Sequence, residues 1–220
     1  MSVTVISGGA SSIDLARMLR SPVIRKPPEL VLIGDDLPAL PPDLPGVTVI
    51  NGDPTDQDVL ERAGISRARM AIMLTDERHR PNPDAHTLLV ALAIEEIAPT
   101  VYTIVEVQDS NNMPHFDRTA VDETVCRSEL SELLIAQAAL NHHISGIYRE
   151  LYTYQTDGNE IYRMGVRDHW KTFRTAFDEL IEERVIPIGI RREGKNQLNP
   201  LADTPLEPGD MMWVIALEQS

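Results

Sequence analysis

Short apolar runs recur along the first two-thirds of the chain. Each is followed by a turn bearing Gly, Asp or Pro, and most turns lead into a segment whose apolar residues return every three or four positions. The runs Val3–Ser7, Leu30–Ile33, Val47–Ile50, Met70–Leu74, Val101–Val107 and Glu123–Cys126 read as strands. Helical spacing brings Ile13, Ala16 and Leu19 or Leu15 to one side of Ser11–Arg20, and Leu88, Leu89, Leu92 and Ile97 together in Asp84–Ile97. Thr55 or Asp56 is placed to cap a third helix that runs through Val59 and Leu60 to Ala63, with Gly64 as its stop. Strands spaced by helices predict βαβ units, so the expected class is α/β, a Rossmann-like doubly wound parallel sheet.

Past residue 126 the pattern changes. Ser128–Leu140 is one amphipathic helix rich in Leu and Ala, and His143–Leu151 continues it after a break. From Tyr152 the chain turns β-rich, with runs at Ile161–Val166, Val185–Arg191 and Met211–Ala216. Turns at Arg192–Asn196 and Glu207–Asp210 join them. The expected division is residues 1–126 as the sheet domain, 127–151 as a helical connector and 152–220 as a small α+β lobe. No repeat of solenoid period is present, and only the proline-rich 38–45 loop is compositionally biased.

Composition narrows this picture. With 42% hydrophobic and 5% aromatic residues in 220, the core is large and aliphatic, as in a parallel sheet covered by helices. The longest apolar stretches are too short to cross a bilayer, and no export signal is visible at the N-terminus. A single cysteine, Cys126, permits no internal disulfide and fits a reducing compartment, so the expectation is a cytoplasmic chain without direct membrane insertion. A net charge of −14 argues against nucleic acid, and suits either cation binding or plain solubility.

The first strand opens on VTVISGGASSIDLARML, where a strand, a glycine turn and a helix follow one another. Such a turn cradles a phosphate when glycines let the backbone approach and the helix N-terminus presents its N–H groups. Gly8 and Gly9 are adjacent, and Ser12 or Ile13 stands where G-x-G-x-x-G has its third glycine. Ser11 and Ser12 can hydrogen-bond a phosphate or simply cap the helix. Asp35 or Asp36 ends the second strand, where dinucleotide binders place a carboxylate on ribose hydroxyls. Thr75 and Asp76 end the fourth, at the carboxyl edge where ligands of open sheets sit. All are also ordinary strand-end turn residues. Six histidines, among them His79, His86 and the pair His142–His143 in the connector, invite a pH-sensor reading. No catalytic constellation stands out: there is no H-x-x-x-H, no C-x-x-C and no nucleophile elbow, and the chain is not read as an enzyme.

Two stretches carry a family resemblance. VTVINGDPTDQDVLERAGISRARMAIMLTD, 47–76, is similar to the strand, G-D-x-T, helix, A-G-I-x-x-A, strand segment of RCK (TrkA-N) domains, which regulate potassium channels and transporters. VIPIGIRREGKNQLNPLADTPLEPGDMMWVIA, 185–216, resembles the end of the RCK-C (TrkA-C) lobe, with its N-P-x-x-D-T-x-L-x-x-G-D signature. The resemblance implies a cytoplasmic gating domain under a potassium channel pore. It implies dimers formed through a helical crossover and assembled as a ring of eight, with membrane association through the pore. The crossover corresponds to Ser128–Leu151, with Leu130, Leu133, Leu134, Ala138 and Ile144 as its apolar face.

Against the family pattern the glycine loop is one residue shorter. Asp53 corresponds to the residue that faces adenine in nucleotide-binding members. The calcium-ligand positions of calcium-gated members read Leu74, Glu106 and Gln108, leaving Glu106 as the one carboxylate. Asp109 lies nearby, pointing to the other side of the strand. The implied ligands are an adenine nucleotide, NAD(H) or a cation. A separate nucleotide-responsive subunit of a potassium transporter is the alternative reading, and a stand-alone NAD(P)-dependent oxidoreductase is a more distant one.

Overall fold

The computed structural model describes residues 3–22, 24, 26–35, 37–76, 81–152 and 158–217. Two compact units divide the chain, Met1–Leu140 and Asn141–Ser220.

The first unit is built on six parallel strands, β1 (Val3–Ser7), β2 (Glu29–Gly34), β3 (Thr48–Asn51), β4 (Met70–Met73), β5 (Tyr102–Val107) and β6 (Glu123–Cys126). Their order in the sheet is β3-β2-β1-β4-β5-β6. Val5 pairs with Val31 on one side and with Ala71 on the other, so β1 lies at the centre. The order reverses between β1 and β4, which opens the switch-point crevice of a doubly wound fold at their carboxyl ends.

Side chains alternate across the sheet, as the pleat requires. Leu30, Leu32 and Ile6 meet Ile13 and Ala16 of α1 (Ser11–Leu19) on one face. Val5, Val31, Ile33 and Met73 meet α2 (Gln57–Arg62) and α3 (Pro83–Ile97) on the other. Asp56 is the residue that caps α2, accepting from the Asp58 N–H, and Gly64 stops the segment with φ +75°. The helix α4 (Met113–Phe116) leads into β6, and α5 (Arg127–Leu140) follows directly.

One expected face was rotated. In α3 the buried residues are Asp84, Thr87, Val90, Ala91 and Ile94, whereas Leu89 and Leu92 are exposed. The helix begins one residue earlier than Asp84, at Pro83, with the Asn82 side chain accepting from the Ala85 N–H. Proline at the first helical position needs no donor there, and this sets the start.

The second unit holds α6 (Ile144–Tyr152), β7 (Glu160–Gly165), α7 (Phe173–Glu182), β8 (Ile186–Arg192), β9 (Lys195–Leu198) and β10 (Met211–Ala216). The four strands form an antiparallel sheet in the order β7-β10-β8-β9. Phe173, Ala176 and Leu180 of α7 pack with Tyr162, Trp170, Ile190, Met212 and Val214. The lobe is α+β as expected, although the apolar runs and turns did not locate α7 or β9. The turn expected at Arg192–Asn196 is the tighter Glu193–Gly194, with φ +48° and +80°, as a two-residue hairpin demands. Beside it, the Arg192 guanidinium donates to both oxygens of buried Asp210, at 2.8 and 2.6 Å, and ties β8 to the turn before β10. Among the described residues no helix is long and apolar enough to cross a membrane.

Candidate functional site

The glycines of the opening loop are required by what they touch. A Cβ on Gly8, which has φ +144°, would lie 2.8 Å from Cβ of Leu74. One on Gly34 would lie 2.9 Å from the Gly8 carbonyl oxygen. The ends of β1, β2 and β4 therefore approach more closely than any side chain there allows. A Cβ on Gly9 would stand 3.0 Å from Oδ1 of Asp76, so the approach that this glycine permits is taken up by a carboxylate of the same chain. Asp76 is itself buried. The cavity left between these strand ends is about 10 Å³, lined by Gly8, Asp35, Leu74, Asp76 and His86 among others, which is about the space of one water.

The two serines part company. Ser12 is fully buried and its hydroxyl donates to the Gly9 carbonyl at 2.8 Å, closing the loop on itself. Ser11 is exposed at the first position of α1. Ala10 occupies the cap position without a side-chain hydrogen bond. Asp35 is exposed at the rim of the crevice. Asp36 and His79 lie outside the described residues.

Asp53 follows the Gly52 turn, and its Oδ1 accepts from both the N–H and the hydroxyl of Thr55, at 2.8 Å each. Nε2 of His86, on the first turn of α3, stands 3.4 Å from the same oxygen. Partial burial alone would raise the Asp53 carboxyl; the Thr55 hydrogen bonds and the nearby imidazole outweigh it and hold the group below the usual carboxylate range.

On the far side of the crevice, Thr75 donates its N–H and its hydroxyl to Oε2 of Glu106, both at 2.8 Å. The other oxygen of Glu106 lies 3.4 Å from Nε of Arg127. Asp84, only 3% exposed, accepts from the Gln108 N–H, the Asp109 N–H and the Asn112 amide, and so pins the end of β5 to the start of α3.

The structure thus brings Gly8, Gly9, Asp35, Asp76 and His86 to one crevice, with Asp53 alongside His86 and Thr75 held behind it by Glu106. Among the described residues no group of three His, Cys, Asp or Glu is arranged to hold a metal ion. His143 sits in a left-handed turn, φ +70°, just ahead of α6. Sequence reasoning missed the roles of Asp84 and Arg127. Only the first had a local signal, an acid in the first turn after Asn82–Pro83.

These features define a class: a doubly wound sheet with a glycine turn and acidic strand ends at its switch point, which is the layout of nucleotide- and ligand-responsive α/β modules. The chain belongs to the TrkA-N domain family, whose model matches residues 3–127. Channel proteins are among its relatives. It is 22% identical over 177 residues to "Potassium channel protein 1" of Methanocaldococcus jannaschii, a match covering 80% of this chain and 51% of that protein. The fold is shared with the human SLO3 gating ring, at a TM-score of 0.78 and 17% identity over 98% of this chain and 44% of that one. It is shared also with the RCK domain of GsuK, at 0.52 and 20% over 98% and 44%, and with the GsuK channel bound to NAD, at 0.51 and 19% over 98% and 36%. The chain spans about half the length of the archaeal channel protein that it matches.

Proposed function

We propose that this chain is the cytoplasmic, ligand-sensing regulatory domain of a potassium channel, working as a homo-oligomer and not as an enzyme. On this reading the switch-point crevice is the regulatory site. Its occupancy changes the arrangement of paired domains, and the assembly, a dimer building towards a ring of eight, transmits that change to a pore.

One observation carries the reading. No residue of α5 is buried, and it displays Leu130, Leu133, Leu134, Ile135 and Leu140 on its surface. Exposed aliphatics in such number on one helix mark an interaction surface, and they lie where the family resemblance places the dimerising crossover. The family match and the channel relatives support the assignment to potassium transport. The NAD in the GsuK structure belongs to that channel; here the crevice has room for about one water, so an adenine nucleotide or NAD(H) would require its walls to part. Glu106 remains the one carboxylate proposed for a cation, in competition with Thr75 and Arg127.

Thermal unfolding in the presence of ADP, ATP, NAD, NADH, calcium, magnesium and sodium, and across pH, tests the sensing part. A ligand at a hundred times its Kd stabilises the folded chain by about 2.7 kcal/mol. A panel in which nothing moves the midpoint would remove the crevice from the account.

A further inference from the structure

The clamp on Thr75 extends beyond the crevice. Thr75 stands between the two residues that the glycines face, Leu74 against Gly8 and Asp76 against Gly9. Both of its polar hydrogens end on one oxygen of Glu106. The second oxygen of Glu106 faces Arg127, the first residue of α5. The Glu106 side chain is only 15% exposed. A carboxylate this far from water keeps its hydrogen-bond donors close, because losing one leaves charge poorly solvated. The next turn of the chain is held from the other side, where Asp84 grips the backbone of Gln108 and Asp109. The end of β5 is therefore fixed to α3, and the Glu106 side chain is the piece that bridges β4 and α5.

We propose that Glu106 is a positioning residue that couples the glycine crevice to α5. Leu74 and Asp76 both line the crevice, and an occupant that displaces either carries Thr75 with it. The carboxylate follows its two donors and changes its distance to Arg127. The start of α5, and with it the orientation of Leu130, Leu133 and Leu134, responds. The idea rests on the crevice being the regulatory site. It uses Glu106 as a mechanical link and needs no metal ion. A chain of contacts alone does not establish coupling, so the link has to be measured as the response of one end to a push at the other.

The push is available without knowing the ligand. Gly9→Val forces Asp76 away from the loop, and Gly9→Ala does so by a few tenths of an ångström should valine prevent folding. Hydrogen–deuterium exchange of the α5 amides is then compared in four chains: the unaltered protein, Gly9→Val, Arg127→Met, and the double variant. Arg127 is half exposed, so its loss leaves the core intact. The expected result is a change of roughly fivefold in α5 exchange on Gly9→Val, falling below about twofold when Arg127→Met is also present. Glu106→Gln, which keeps an acceptor for Thr75 and removes the charge facing Arg127, gives the same loss of response. An equal response in all backgrounds, or no response in folded Gly9→Val, overturns the proposal. Light scattering on the same samples keeps it separate from the assembly reading. A monomer whose α5 still responds sinks the assembly alone, and a dimer whose α5 does not respond sinks the coupling alone.

Discussion

Helices α3 and α5 are nearly the same length, 15 and 14 residues, and both belong to the six-stranded unit. Their apolar residues meet different fates. Val90, Ala91 and Ile94 of α3 are buried in the core formed with β4 and β5. In α5 nothing is buried: Leu133 is 55% exposed, Ile135 70% and Leu140 77%. A helix with leucines and no core to receive them has either no stability of its own or a partner elsewhere. The contrast teaches that one unit contains a helix made for its own core and another made for a surface.

The largest effect expected from this contrast is in α3. Ile94→Ala removes a fully buried side chain and should lower unfolding free energy by about 2–5 kcal/mol. Leu134→Ala in α5, measured at a concentration where the chain is monomeric, should change it by less than about 0.5 kcal/mol. Urea melts of the two variants check both numbers. Equal losses would mean that α5 is a core helix after all.

Next in size is Asp84→Ala, which leaves the Gln108 and Asp109 N–H groups and the Asn112 amide without their acceptor. A loss of about 1–3 kcal/mol is expected, readable as a lower melting temperature. Glu129→Ala, in the first turn of α5, should leave the same melt within about 0.5 kcal/mol.

A smaller effect, and one confined to the second unit, comes from acid. Glu179 of α7 accepts from His169 at 2.6 Å and from the Trp170 indole at 3.0 Å, and pairs with Arg167. The hydrogen bond with His169, then that from Trp170, then the one from Arg167 hold its carboxyl at about 2, below the ordinary 4.5, against the opposing effect of burial. A depressed carboxyl contributes stability that is complete above its unfolded value and is lost as pH falls through its folded one. Near-ultraviolet circular dichroism of Trp170 should therefore weaken between about pH 4.5 and pH 2. Glu179→Gln should flatten that part of the titration. A Trp170 signal unchanged down to pH 2 would show that the pair does nothing for the fold.

The central strands β1, β2 and β4 were legible because each is a largely apolar run between turn residues, the mark of a strand buried on both faces. The face of α3 was misread for a related reason. Leu89 and Leu92 are the bulkier residues, yet the sheet surface selects Val90, Ala91 and Ile94 together with the polar Asp84 and Thr87, with Leu88 and Ile97 packed at its margin. In the second unit α7 was hidden by its cap: Thr172 and Thr175 form the box through hydroxyls, without the acidic or amide residue that usually announces it. Strand β9, Lys195–Leu198, is exposed at every position and carries no apolar alternation to read.

The crevice was half legible. Gly8, Gly9, Asp35 and Asp76 follow from their places at strand ends. The reasons for the glycines, Leu74 and Asp76, come from a strand more than sixty residues away in sequence. Glu106 drew notice as a carboxylate on β5, but its partners Thr75 and Arg127 meet it only through the parallel pairing of β4, β5 and β6.

The most direct test of the account is sedimentation equilibrium of the chain at micromolar concentration, beside a variant carrying Leu130→Ser, Leu133→Ser and Ile135→Ser. The account predicts a dimer or larger for the unaltered chain and a folded monomer for the variant. A folded monomer in both cases would contradict it.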